Sequence, residues 1–173
     1  MKINVKTMVY SAIIAALYTA VSLAIAPLTF GNIQIRFAEA LTLLPILAPS
    51  TIVGITLGCG LTNLFGAMLG INPLGYADVF IGTAATFVAC LLSIYYRNHK
   101  VKGVPVISVM MPVVINALII GAELAYVIMP QSLFVGFITF GSAVFVGQFI
   151  ACVIIGVPLL NYIDKSKILH KIM

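Results

Sequence analysis

Charge is what this sequence has least of. Asp, Glu, Lys and Arg make up 8% of its 173 residues, against about a quarter of a soluble domain, and only four residues are acidic. Hydrophobic residues reach 62%, above the roughly 45–50% usual in water-soluble chains, which excludes a soluble enzyme or binding domain. Tryptophan is absent. The three cysteines, Cys59, Cys90 and Cys152, stand singly inside apolar runs, without the paired spacing of a metal site or the even count of a disulfide framework. They read as small packing residues. No G-x-x-x-x-G-K-[ST] phosphate loop occurs, so the chain cannot drive transport with ATP alone. Nor does it divide into two inverted halves with interrupted helices, the common plan of secondary transporters.

What is present is a series of long apolar runs bordered by basic residues. Lys2 and Lys6 open the chain, Arg97, Lys100 and Lys102 form a middle cluster, and Lys165, Lys167 and Lys171 close it; only Arg36 lies elsewhere. These residues flank apolar segments instead of forming a patch among aromatics, which sets nucleic-acid binding aside despite a net charge of +5. Under the positive-inside rule the three clusters share the cytoplasmic side, so an even number of crossings separates each from the next. Five spans stand out, at about 7–29, 51–69, 76–96, 104–129 and 133–162. Five crossings would split the clusters between two sides, so residues 33–48 are predicted to cross as well. That stretch is about 24 Å long as an α-helix, short of the roughly 30 Å hydrocarbon layer, and carries Arg36, Glu39 and Pro45. It belongs inside a bundle. The expectation is an all-α membrane protein, a six-transmembrane-helix bundle with N- and C-termini cytoplasmic, in which residues 1–173 form one integral membrane domain. The uncharged run over 7–34 is too long for a signal-peptide core, although Ala24-Ile25-Ala26 resembles a cleavage site, so it reads as a retained first helix.

This topology gathers the remaining charges in the outer half. Arg36 and Glu39 open the second helix, Asp78 opens the fourth, and Glu123 lies near the outer end of the fifth inside the apolar stretch NALIIGAELAYVIM. A carboxylate inside a membrane costs about 2.5–3.5 kcal/mol facing lipid and is a functional-site hypothesis by default. Asn116 precedes Glu123 by two helical turns and shares its face, while Asn63 and Gln148 add amides from the third and sixth helices. The bland alternatives are charges solvated at helix ends and amides bonding helix to helix. Phe37, Phe65, Phe80 and Tyr126 lie close enough in sequence to stack on a ring. Carboxylates and amides beside aromatics suit a planar, nucleobase-like solute better than a metal ion. Small residues recur every four positions along the first helix at Ala12, Ala16, Ala20 and Ala24, making a flat face that either closes the bundle or docks a partner.

The motifs IQIRFAEALTLLPILAP, GCGLTNLFGAMLG, LGYADVFIGTAATFVACLL, PVVINALIIGAEL and VGQFIACVIIGVPLL cover most of the chain. Together they resemble the substrate-binding S components of energy-coupling factor (ECF) transporters, specifically the QueT family of queuosine-precursor transporters. The resemblance implies a six-helix protein of the bacterial plasma membrane that captures a deazapurine ligand, a 7-deazaguanine compound such as queuine or 7-aminomethyl-7-deazaguanine. It implies an ECF T component and two ATPase subunits as partners, with no cofactor in this chain and ATP and Mg used by the ATPases. By position it assigns Arg36, Glu39, Asp78, Asn116 and Glu123 to the ligand site or its support, and Ala12, Ala16 and Ala20 to the T-component interface. Gln148 departs from the pattern, standing where a glutamate is expected. Two rivals remain: a self-sufficient ion-coupled carrier using Glu123 and Asp78, and an intramembrane enzyme. The enzyme is the weaker, because His99 and His170 fall in cytoplasmic segments away from the carboxylates and no nucleophile–base pair is evident.

Overall fold

The structure, a computed structural model, describes residues 5–31, 34–101 and 103–166. Lys2, Lys102, Lys167, His170 and Lys171 lie outside the described residues. Among those described, the chain forms seven helices and no strand beyond an isolated bridge between Val101 and Val104. The helices are α1 (Val5–Ala24), α2 (Ala26–Thr29), α3 (Phe37–Leu47), α4 (Pro49–Met68), α5 (Ala77–Tyr96), α6 (Val106–Ile128) and α7 (Pro130–Ser166). Five of them, α1, α4, α5, α6 and α7, are long and apolar enough to cross a bilayer.

Each departure from the expected helices traces to a proline. The first apolar run breaks at Ile25, because Pro27 has no N–H to donate to Leu23 in a continuing helix, and α2 starts afresh with proline in its first turn. The predicted helix over 33–48 is helical only from Phe37 to Leu47. Phe37–Leu43 winds as a 3₁₀-helix before an α-turn over Leu44–Leu47. Pro45 cannot donate to Leu41, and the Thr42 hydroxyl donates to the Glu39 carbonyl at 2.6 Å, favouring three residues per turn. The looser rise of 3₁₀ geometry, about 2.0 Å per residue, lets a short segment reach further than an α-helix. In α7, Ile150–Gly156 is wound as a π-helix just before Pro158, whose ring would crowd the Ile154 carbonyl in a regular helix.

The long helices pack in sequence order, α1 on α4, α4 on α5, α5 on α6 and α6 on α7, while α3 touches all five. Nearly every residue of α3 from Ala38 to Ile46 is buried, so this helix sits within the bundle as its shortness requires. Lipid offers no hydrophobic drive between helices, so close backbone contact does the joining. A Cβ at Gly58 would stand 2.8 Å from the Tyr18 Cβ, and one at Gly121 would stand 2.5 Å from the Gly141 Cα. The face of α1 that closes on α4 is Ser11, Ala15, Tyr18, Thr19 and Ser22; Ala12, Ala16 and Ala20 point outward and are exposed. Three apolar clusters fill the interior, one around Leu44, Ile55 and Cys90 that reaches Tyr18, one around Leu43, Val109, Val113 and Cys152, and one toward the Glu123 end around Leu74, Ile120, Leu124 and Val144.

Candidate functional site

Asp78 opens α5 and Arg97 follows its last residue, while Glu123 lies near the end of α6 and Lys100 precedes its start. The buried acidic groups and the basic loop therefore occupy opposite ends of the molecule. Around Asp78 and Glu123 the interior is polar: Arg36, Glu39, Asn63, Asp78, Asn116, Glu123 and Gln148 are each at least nine-tenths buried.

Hydrogen bonds tie much of this group together. Asn63 in α4 is central, since its Oδ1 accepts from Arg36 Nη2 and its Nδ2 donates to the Asp78 backbone oxygen at 2.8 Å. The Asp78 carboxylate accepts from Asn72 Nδ2 at 2.9 Å, and Asn72 Oδ1 accepts from the Leu74 N–H at 3.0 Å, which braces the turn entering α5. A carboxylate in the first turn of a helix also faces the positive end of its dipole. Gly82, one turn on, leaves room for this arrangement; a Cβ there would collide with the Asp78 carboxylate and stand 2.8 Å from Asn63 Nδ2. Tyr18 of α1 donates to Glu39 Oε1 at 2.6 Å. Gln148 neighbours Glu39, with Cys152 Sγ 3.5 Å from the Glu39 backbone oxygen and 3.6 Å from Gln148 Oε1. The Arg36 guanidinium lies over the Phe30 ring, 5.8 Å from its centre, and is within electrostatic reach of Glu39, Asp78 and Glu123.

The bonding is incomplete in one direction. Glu39 Oε2, Asp78 Oδ1, Asn116 Oδ1 and both oxygens of Glu123 are buried without a hydrogen-bond partner among the described residues, as is Arg36 Nε. Each orphaned acceptor costs about 1–3 kcal/mol, so a site carrying five of them is shaped by something other than stability. A cavity of about 240 Å³ at the same end is lined by Phe30, Gln34, Pro73, Leu124 and Phe140, and by none of the seven buried polar residues. Phe30 joins the two, lying against Arg36 and lining the cavity. Gln34 is 5% exposed and, alone among the described non-glycine residues, has a positive φ, 48°, a strained conformation of the kind that clusters at ligand clamps.

Of the eight residues expected from sequence, Arg36, Glu39, Asn63, Asp78, Glu123 and Gln148 are neighbours in one buried group, Asn116 is buried two turns before Glu123 on α6, and Tyr126 lies apart. That side chain is 71% exposed and lies in an apolar groove between α6 and α7 with Leu133 and Phe134. Three positions beyond Glu123 is about 60° around the helix, enough at the edge of the buried stripe to turn Tyr126 outward. Phe65 and Phe80 are likewise exposed, at 41% and 76%. The aromatics at the site are instead Tyr18 and Phe30, which sequence reasoning passed over along with Gln34 and Asn72. Tyr18 had a signal, as a phenol in the middle of an otherwise aliphatic span. Asn72 read only as part of a turn.

Five long apolar helices around buried charges mark a multi-pass membrane protein. The family model described as QueT transporter matches residues 8–165, and the chain belongs to that family. Comparison with curated proteins and with solved structures yields no match.

Proposed function

We propose that this chain is the substrate-binding S component of an ECF importer in the bacterial plasma membrane, and that it captures a queuosine precursor from outside. Membership of the QueT transporter family supports transport as the role. The observation that carries the ligand class is Glu123, a carboxylate 7% exposed in an apolar helix with both oxygens unpartnered. Two parallel acceptors match the N1–H and 2-amino donors of a 7-deazaguanine base. Asn116 and Gln148 then read its other edge, and Arg36, Glu39, Asn63 and Asp78 hold the polar frame. Phe30 takes the stacking role that the sequence had offered to Tyr126. The neighbouring cavity of about 240 Å³ shares Phe30 with Arg36 and includes Leu124, next in sequence to Glu123, and its size suits the entry of a small ligand toward these residues.

In this reading α3 supplies the sixth crossing. Beyond the turn at Gln34, two residues of non-helical chain, seven of 3₁₀-helix and four of α-helix reach at most about 27 Å, close to the roughly 30 Å hydrocarbon layer. Both termini and the basic loop are then cytoplasmic. The outward face at Ala12, Ala16 and Ala20 docks the T component, and two ATPase subunits supply the work from ATP and Mg, with no cofactor in this chain.

Purified protein should bind 7-aminomethyl-7-deazaguanine or queuine in calorimetry, and Glu123→Ala should bind tens-fold more weakly, the usual consequence of removing about 2–5 kcal/mol from a buried charged contact. Wild-type affinity in the variant removes Glu123 from the site. Reconstitution without partners separates the rival: an ion-coupled carrier would move solute under an ion gradient alone, whereas this chain should not.

A further inference from the structure

A second cavity, of about 310 Å³, lies at the opposite end of the bundle from the buried carboxylates. Four stretches of chain build it. Arg97, Asn98 and Lys100 come from the loop after α5, and Asn161 and Asp164 from the last turns of α7. Gly103 and Pro105 lead into α6, and Ile46 and Leu47 end α3. The loop is folded back on itself: the Val101 and Val104 backbones exchange hydrogen bonds at 2.9 and 3.1 Å, and Gly103 takes a φ of 85° that a side chain would resist. This turn holds Arg97 and Lys100 along one wall of the cavity. No hydrogen bond or ion pair among the described residues engages the side chains of Arg97, Lys100, Asn161 or Asp164.

Two further features fix the chemistry. The floor is apolar, formed by Ile46, Leu47 and Leu160, while the walls carry two cations, two amides and one carboxylate, so the lining is amphiphilic. The cavity also lies level with exposed aromatics. Tyr95 and Tyr162 are 74% and 70% exposed, and tyrosines are enriched where lipid headgroups meet the acyl chains. Basic pockets between helices at that depth suit phosphate-bearing headgroups.

We propose that this cavity is a binding site for the headgroup of an anionic phospholipid, separate from the transport site. Arg97 and Lys100 hold the phosphate, Asn98 and Asn161 donate to its ester or headgroup oxygens, and Asp164 accepts from a headgroup hydroxyl. The apolar floor receives the start of an acyl chain, a feature with no use for free phosphate.

The test is native mass spectrometry and thermal unfolding of the protein in three settings: phosphatidylcholine nanodiscs, the same with phosphatidylglycerol, and phosphatidylcholine nanodiscs in inorganic phosphate. Phosphatidylglycerol should be retained and should raise the unfolding temperature, and the double variant R97Q/K100Q should weaken that retention on the order of tenfold or more. Lys165→Gln removes a charge from the same end without touching the cavity, and should leave retention unchanged. Equal loss in Lys165→Gln would mean general surface attraction and would overturn the proposal, as would retention undiminished in R97Q/K100Q. Stabilisation by inorganic phosphate equal to that by phosphatidylglycerol would keep the phosphate chemistry but assign the site to a soluble ion.

Discussion

The half of the bundle around Asp78 and Glu123 and the half around Leu43, Ile55 and Val113 are built from the same helices, yet they hold together in different ways. In the second half, buried Leu, Ile, Val and Cys side chains interlock, and glycine lets α1 approach α4 closely. Because lipid is as apolar as leucine, that half is held by the number and closeness of its contacts. In the first half, a few directional bonds through Asn63, Asp78 and Tyr18 cross-link α1, α3, α4 and α5. They also leave five acceptors unmatched. The apolar half leaves an isolated orphan at Ser108 Oγ, whereas the polar half gathers its unmatched acceptors among charged neighbours at a stability cost, as expected where function sets the residues.

Four substitutions, and a control beside the last, would break or sharpen that contrast. Arg36→Met should be the most damaging, because removing the one buried cation among the described residues leaves Glu39, Asp78 and Glu123 uncompensated; a loss of about 3–5 kcal/mol is expected in detergent unfolding, with ligand binding abolished. Leu43→Ala opens a cavity beside Val113 and Cys152 and should cost about 2–5 kcal/mol while the remaining folded protein binds ligand normally. If it also lowers affinity, the halves are coupled. Tyr18→Phe deletes the bond to Glu39 Oε1 and should cost about 1.5–3 kcal/mol by thermal unfolding. The smallest effect belongs to Ala16→Trp, which faces outward and should shift stability by no more than about 0.5 kcal/mol while T-component association is lost on copurification. Ala15→Trp, one position away and 4% exposed against Gly58, should fail to assemble.

How much of this was readable in the residues follows from the nature of each signal. Long apolar runs mark spans directly, so α4, α5 and α6 fall within a few residues of expectation. Proline effects are harder to read, because Pro27 ends a helix, Pro45 accompanies a 3₁₀ turn and Pro158 a π-helix in the same apolar background. The polar site was legible because charge in a membrane is costly: Arg36, Glu39, Asp78 and Glu123 had nowhere else to go. Its aromatics were not, since any phenylalanine in a span reads as lipid-facing or buried equally well. Phe30 is placed by its ring lying against Gly66, a contact between residues 36 positions apart that no local pattern announces.

The central claim, that the polar half opens outward and the basic end faces the cytoplasm, is tested most directly by accessibility in intact cells. All three native cysteines are fully buried, so background labelling is low. Pro73→Cys, at the mouth of the upper cavity, should react with a membrane-impermeant maleimide added outside and be protected by a deazaguanine ligand, while Asn98→Cys should react only after permeabilisation. The reverse pattern, or outside labelling of both positions, would contradict the account.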